Sequence, residues 1–136
     1  MTRTITGGHG PMPTPVTKDY LGTATANNEP SIGYGQRKSR CYELAAYAIA
    51  FGDVPKGSTL VHGVIDGGPG TSGPLGHAWL VLPGGLVWEP ILGDVFSQDA
   101  WYVWAKAVPV WQYTEREAQA KMIEHEHYGP WETMPV

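Results

Sequence analysis

Apolar and polar positions fall into two textures along this chain. Over residues 1–35 Gly, Pro, Thr and Asn dominate, and neither a period of two nor one of 3.6 runs through them, so an irregular arm is expected there. From Ser39 the pattern changes. Leu44, Ala45, Ala48 and Ile49 recur on one helical stripe, with Ser39 as a capping residue before them and Gly52 as a stop after them. The helix this predicts carries Cys41 in its first turn. A β-branched and apolar stretch over 58–65 predicts a strand that ends in the Gly/Pro-rich loop 66–76. Two more apolar runs, 77–82 and 86–92, are separated by Pro83-Gly84-Gly85 and predict a β-hairpin. A further strand is expected over 107–113, where Pro109 confines it to an edge or a bulge. Thr114 then opens a second helix through a capping box with Glu117, running to about His127 before Gly129-Pro130.

The order is arm, helix, strand, hairpin, strand, helix. Short connections between successive strands imply an antiparallel sheet with helices on one side, an α+β domain over 36–136 whose N-terminal helix carries the cysteine. The 136 residues suffice for one such domain, and 42% hydrophobic against 16% charged residues places the chain among globular proteins. Six Trp and seven Tyr against two Phe favour a groove rimmed by large rings with polar tips.

Charge and cysteine content narrow the function. The formal charge is −4 and the only dense basic cluster is Arg37, Lys38 and Arg40, so there is no surface to track a nucleic acid backbone. One cysteine rules out an intramolecular disulfide and fits a reducing, cytoplasmic setting. Residues 1–10 lack the apolar core of a signal peptide, and no apolar run approaches a membrane-crossing length, so no membrane partner is expected. Nothing in the composition fixes an oligomeric state.

Three residues carry candidate chemistry. A thiol is a nucleophile as its thiolate, which the positive end of a helix favours, and Cys41 has that placement. Its alternative role is that of a small buried apolar residue. His77 opens a strand directly after a loop, the combination of fixed orientation and access that a base needs. Glu89 stands in the otherwise apolar Leu86-Val87-Trp88-Glu89-Pro90-Ile91, where a carboxylate is costly without a partner. Hairpin register decides whether His77 is that partner. A two-residue loop pairs Leu80 with Glu89 and sends Glu89 to the opposite face from His77, whereas a three-residue loop pairs Trp79 with Glu89 and makes His77 its diagonal neighbour. His125 and His127, two apart on a helix, do not form a chelating face, and no metal site is expected.

The stretch 41–91, with a helix-opening Cys41, Val61-His62-Gly63-Val64, Gly76-His77-Ala78-Trp79-Leu80-Val81 and an acid twelve residues after His77, resembles the transglutaminase-like and papain-like cysteine peptidases. It is closest to the leader peptidases of lasso-peptide biosynthesis; NlpC-type peptidases and arylamine acetyltransferases are similar in outline. The resemblance implies a papain/transglutaminase-like core, Cys41 as nucleophile, His77 as base and Glu89 as the group that orients it, with Glu where these relatives usually carry Asp. It also implies an oxyanion-stabilising Gln, a position Gln36 fits, although by chemistry alone Gln36 is an ordinary loop residue. Tyr34, Trp79 and Trp88, with Trp101 and Trp104, are candidates to line a peptide or acyl groove. The function implied is a cysteine-dependent peptidase or amidase acting on a peptide or amide substrate through a thioester, without a metal or organic cofactor. Two other readings stay open: a binding or inhibitory protein, such as a phage accessory factor, with a relic triad, and a structural virion protein.

Overall fold

The computed structural model describes residues 11–17, 40–66 and 73–136. Tyr34, Gln36 and Ser39 lie outside them. Helix α1, Cys41–Phe51, buries Cys41, Leu44, Ala45, Ala48 and Ile49 along one stripe together with Ala46. Arg40 occupies the N-cap position without capping through its side chain. Its guanidinium instead reaches the Glu43 carboxylate at 2.9 and 3.0 Å.

The strands are β1 (Thr59–Asp66), β2 (Pro74–Leu82), β3 (Leu86–Glu89), β4 (Asp94–Ser97) and β5 (Val108–Thr114), and the other helices are α2 (Gln98–Ala105) and α3 (Glu115–His125). The sheet order is β4-β3-β2-β1-β5 and every neighbouring pair is antiparallel, so the fold is α+β. Strand alternation divides the apolar side chains between two faces. Leu60, Ala78, Leu80, Leu82, Trp88 and Val95 pack under α1 and α3. Val61, Trp79, Val87 and Phe96 pack on the other face, against Trp101 and Ala105 of α2.

Helices therefore cover both faces, and the expectation of helices on one side is corrected. The cause is topological. β4 and β5 form opposite edges of the sheet, and α2 carries the chain between them across the second face. Neither β4 nor α2 stands out in the sequence. Four residues make a weak strand signal, and Trp101, Tyr102, Val103 and Trp104 favour strands by intrinsic propensity. The helix is fixed by packing of its i, i+4 pair Trp101 and Ala105, by Ser97 accepting from the Ala100 N–H, and by Lys106 closing it at φ 53°.

β5 lies at an edge, and its pairing with β1 jumps from Trp111 opposite His62 to Pro109 opposite Gly63. The extra residue is Val110, so Pro109 stands at both an edge and a bulge. Thr114 and Glu117 form the capping box that opens α3, which ends two residues before His127 because Glu126 turns left-handed at φ 61°. Part of the arm lies along the free side of β4, where Val16 N–H donates to Val95 O at 2.6 Å and Val95 N–H donates to Thr17 O at 2.7 Å. Among the described residues no helix is long and apolar enough to cross a membrane.

The packed face under α1 contains a buried imidazole. His62 is fully buried, and neither of its nitrogens has a hydrogen-bond partner among the described residues. Tyr42, Tyr113 and Trp131 surround it at centroid distances of 4.9, 5.2 and 5.0 Å. Burial pushes its pKa down to about 4, against a weaker upward pull from Glu132. A histidine that resists protonation in the fold costs nothing above pH 6.5, its unfolded value, and destabilises as pH falls from there toward 4, where only the unfolded chain readily takes the proton. Wild-type stability in urea is expected to lose about 3 kcal/mol more than that of His62→Leu between pH 7 and pH 4. Equal losses in the two proteins would show that His62 does not carry this dependence.

Candidate active site

Cys41 is the first residue of α1, where the unpaired N–H groups of the opening turn give the helix its positive end. Its side chain continues the stripe that packs α1 on the sheet, and only 8% of the residue is exposed. The thiol thus stands at the open end of that stripe, ahead of the core cluster that begins with Leu44.

His77 and Glu89 are brought together by the β2–β3 hairpin. Its loop is Pro83-Gly84-Gly85, turning through left-handed residues at Gly84 (φ 89°) and Gly85 (φ 76°), and the strands pair Leu82 with Leu86 and Leu80 with Trp88. This is the three-residue register, so Glu89 falls opposite Trp79 and shares a face with His77. The Glu89 carboxylate meets His77 Nε2 at 2.7 Å, and its other oxygen accepts the Leu92 N–H at 3.0 Å. Both carboxylate oxygens are occupied although the residue is buried. Glu89 is the last residue of β3, at the opening of the turn to β4.

The imidazole stands beside a pair of indoles, Trp79 at 6.1 Å and Trp101 at 6.2 Å between ring centroids, which are themselves 5.2 Å apart. Its second partner is the Cys41 thiol, within hydrogen-bonding reach. With Nε2 taken by Glu89, the nitrogen left for sulfur is Nδ1. Burial alone lowers the His77 pKa, but hydrogen bonds to Cys41 and Glu89, and the charges beside them, outweigh it and hold the value up at about 10. These partners favour the protonated ring, which can face sulfur with one N–H and carboxylate with the other. Chemically, this row can deprotonate a thiol, stabilise the ion pair that forms and return the proton to a leaving group.

The structure brings Cys41, His77 and Glu89 into one row. Trp79 and Trp88 are both fully buried and line no open groove. Trp79 belongs to the α2 face and donates to the Tyr102 hydroxyl at 3.0 Å, while Trp88 belongs to the α1 face. Tyr34 and Gln36 fall outside the described residues. His125 and His127 stand at the exposed end of α3, their rings 5.9 Å apart, and His127 Nδ1 accepts the Gly129 N–H at 3.0 Å. Among the described residues no cluster of metal-ligating side chains is present. Two open grooves, of about 470 and 410 Å³, lie away from this row, one between Phe51 and the end of α3, the other around Pro55 and Thr114.

One neighbour of the row escaped sequence reading. Tyr42, the residue after Cys41, is a half-buried phenol whose pKa is pushed up to about 12 by burial and, second, by the Cys41 sulfur. Its i+1 position carries no signal, because consecutive helical residues point in different directions.

No family model, curated protein or solved structure matches this chain.

Because the folded His77 value lies above 6.5, its contribution to stability is complete below pH 6.5 and is lost as pH rises through about 10. Glu89→Gln keeps an acceptor and removes a charge, and it is expected to move the His77 titration, followed by NMR of the imidazole nitrogens, down by about one to three units. A midpoint identical to wild type would remove Glu89 from its orienting and charge-balancing role.

Proposed function

We propose that this chain is a cysteine-dependent hydrolase, a peptidase or amidase, working through a Cys41-His77-Glu89 triad on a papain/transglutaminase-like core. The observation that supports this reading is the single buried row in which sulfur faces an imidazole whose other nitrogen is 2.7 Å from a carboxylate. In the reaction, Cys41 sulfur bonds to the carbonyl carbon of a peptide or amide, and the carbonyl electrons move to oxygen. The oxygen charge is met by donors at the helix N-terminus, such as the Cys41 N–H. As that intermediate collapses the C–N bond breaks, His77 gives its proton to the departing nitrogen, and a thioester remains on Cys41. Water then attacks the thioester with His77 taking its proton, the C–S bond breaks, and the carboxylic acid leaves. Glu89 stays ionised throughout and balances the imidazolium. No step calls for a metal or an organic cofactor, and a reducing cytoplasm keeps the thiol available.

The 8% exposure of both Cys41 and His77 favours a second reading, a binding or inhibitory protein that keeps the row without turnover. Labelling and mass separate the two. Under the enzyme reading, iodoacetamide at about pH 6 alkylates Cys41 roughly tenfold or more faster than it does in His77→Ala. Incubation with cell extract leaves an acyl adduct visible by intact mass, and the adduct is missing from Cys41→Ala. Alkylation indifferent to His77, with no adduct, would sink the enzyme reading.

A further inference from the structure

The Cys41–His77 pair has a second contact running beside it. Two consecutive residues of α1 meet two consecutive residues of β2: Cys41 lies against His77, and Tyr42 lies against Gly76. The Tyr42 hydroxyl is 2.9 Å from where a Cβ on Gly76 would stand, and the edge of the ring is 3.5 Å from where a Cβ on Gly129 would stand. The third side is the His62 imidazole, edge-on to the phenol at 4.9 Å and 79°.

We infer that Tyr42 is a positioning residue for Cys41, and that His62, Gly76 and Gly129 form the socket that seats its ring. The inference rests on the hydrolase reading of Cys41 and His77. The first turn of a helix is its least constrained part, because its N–H groups have no carbonyl within the helix to pair with. α1 is anchored farther along by Leu44, Ala45, Ala48 and Ile49, which fix its axis, while Cys41 lies ahead of that core cluster. Tyr42 is the residue nearest Cys41 with a large ring, and its socket constrains that first turn.

Each wall suits the task. Gly76 precedes His77 directly, so a ring seated over Gly76 fixes the height of Cys41 relative to the imidazole. Gly129 has φ +112° and lets the chain after α3 close on both Tyr42 and His62, its Cβ position lying 2.8 Å from His62 Cε1. That closing segment is tied down on its far side. Trp131 packs on His62 and Tyr113, Glu132 accepts from the Tyr113 hydroxyl and pairs with Lys121 at 2.7 Å, and Trp111 Nε1–H donates to Thr133 O at 2.9 Å. The His62 ring, whose nitrogens have no hydrogen-bond partner among the described residues, serves as a flat wall.

The test measures the pH profile of Cys41 alkylation by iodoacetamide in wild type, His77→Ala, Gly76→Ala and Gly76→Ala/Tyr42→Phe, with folding checked by circular dichroism. The added methyl of Gly76→Ala pushes on the phenol oxygen, and a displacement of order 1 Å is expected to slow the His77-dependent reaction by about a hundredfold. The double variant lacks that oxygen and is expected to recover about tenfold or more of the loss. If Gly76→Ala does not fold, Tyr42→Leu takes its place, with the same loss of His77 dependence expected. A folded Gly76→Ala or Tyr42→Leu protein that reacts as wild type does, or a double variant no faster than Gly76→Ala, overturns the positioning role alone. A wild-type profile that ignores His77 overturns the hydrolase reading and the positioning role together.

Discussion

The buried contact between His77 and Glu89 constrains much of this molecule. A carboxylate on an apolar sheet face is tolerable only when both oxygens have partners, and Glu89 has an imidazole on one and the Leu92 N–H on the other. Removing one member of such a pair from a buried setting costs several kcal/mol, because the remaining charge is stranded. The pair in turn requires the three-residue hairpin loop, since a one-residue slip would send Glu89 through to the α1 face. Gly84 and Gly85, both left-handed, make that loop possible. Two glycines remote from His77 and Glu89 thereby decide whether that contact can form.

The remaining architecture brings sulfur to that pair. α1 packs on the opposite sheet face from His77, with its stripe against Leu60, Ala78 and Leu80. The β2–β3 pairing runs only from Leu82 to Leu80, so beside His77 the β3 side of β2 is past the end of the ladder. Cys41, the opening residue of α1, is where the two faces communicate. α2 brings Trp101 alongside Trp79 next to the imidazole, and the His77–Glu89 contact is buried, where a hydrogen bond is electrostatically stronger than in water.

Strong local signals were legible in the sequence. The stripe from Cys41 to Ile49, the capping box at Thr114 and the hairpin around Pro83-Gly84-Gly85 each combine a period with a terminating residue, and all three elements are present within a few residues of expectation. β4 and α2 were not legible, because four residues give no period and an aromatic run follows strand propensity until packing overrules it. The two-sided arrangement of helices was lost with them, as α2 is the element that occupies the second face. Within the candidate site, Cys41, His77 and Glu89 could be proposed from helix position, strand position and an acid in an apolar run, although His77 does not open its strand as expected but is the fourth residue of β2, which begins at Pro74, and is buried. Tyr42 and the burial of Trp79 and Trp88 could not, since they depend on which face an already formed strand or helix presents. A tryptophan beside a motif looks the same in sequence whether it lines a groove or fills a core.

His62 and His77 show how completely surroundings determine the chemistry of one residue type. They lie on adjacent, paired strands, His62 opposite Ala78 and His77 opposite Gly63, and both are buried. Burial pushes both pKa values the same way, down. His62 has aromatic rings and a glycine for neighbours and ends at about 4, while His77 has a thiol and a carboxylate within hydrogen-bonding reach and ends at about 10. The surroundings of one ring favour its neutral form, and those of the other its protonated form. Strand alternation does the sorting, since an even residue of β1 is delivered to the α1 face and an odd residue of β2 to the α2 face. The sheet thus presents one imidazole to the packed face under α1 and the other, on the neighbouring strand and the opposite face, to the sulfur at the end of that same helix.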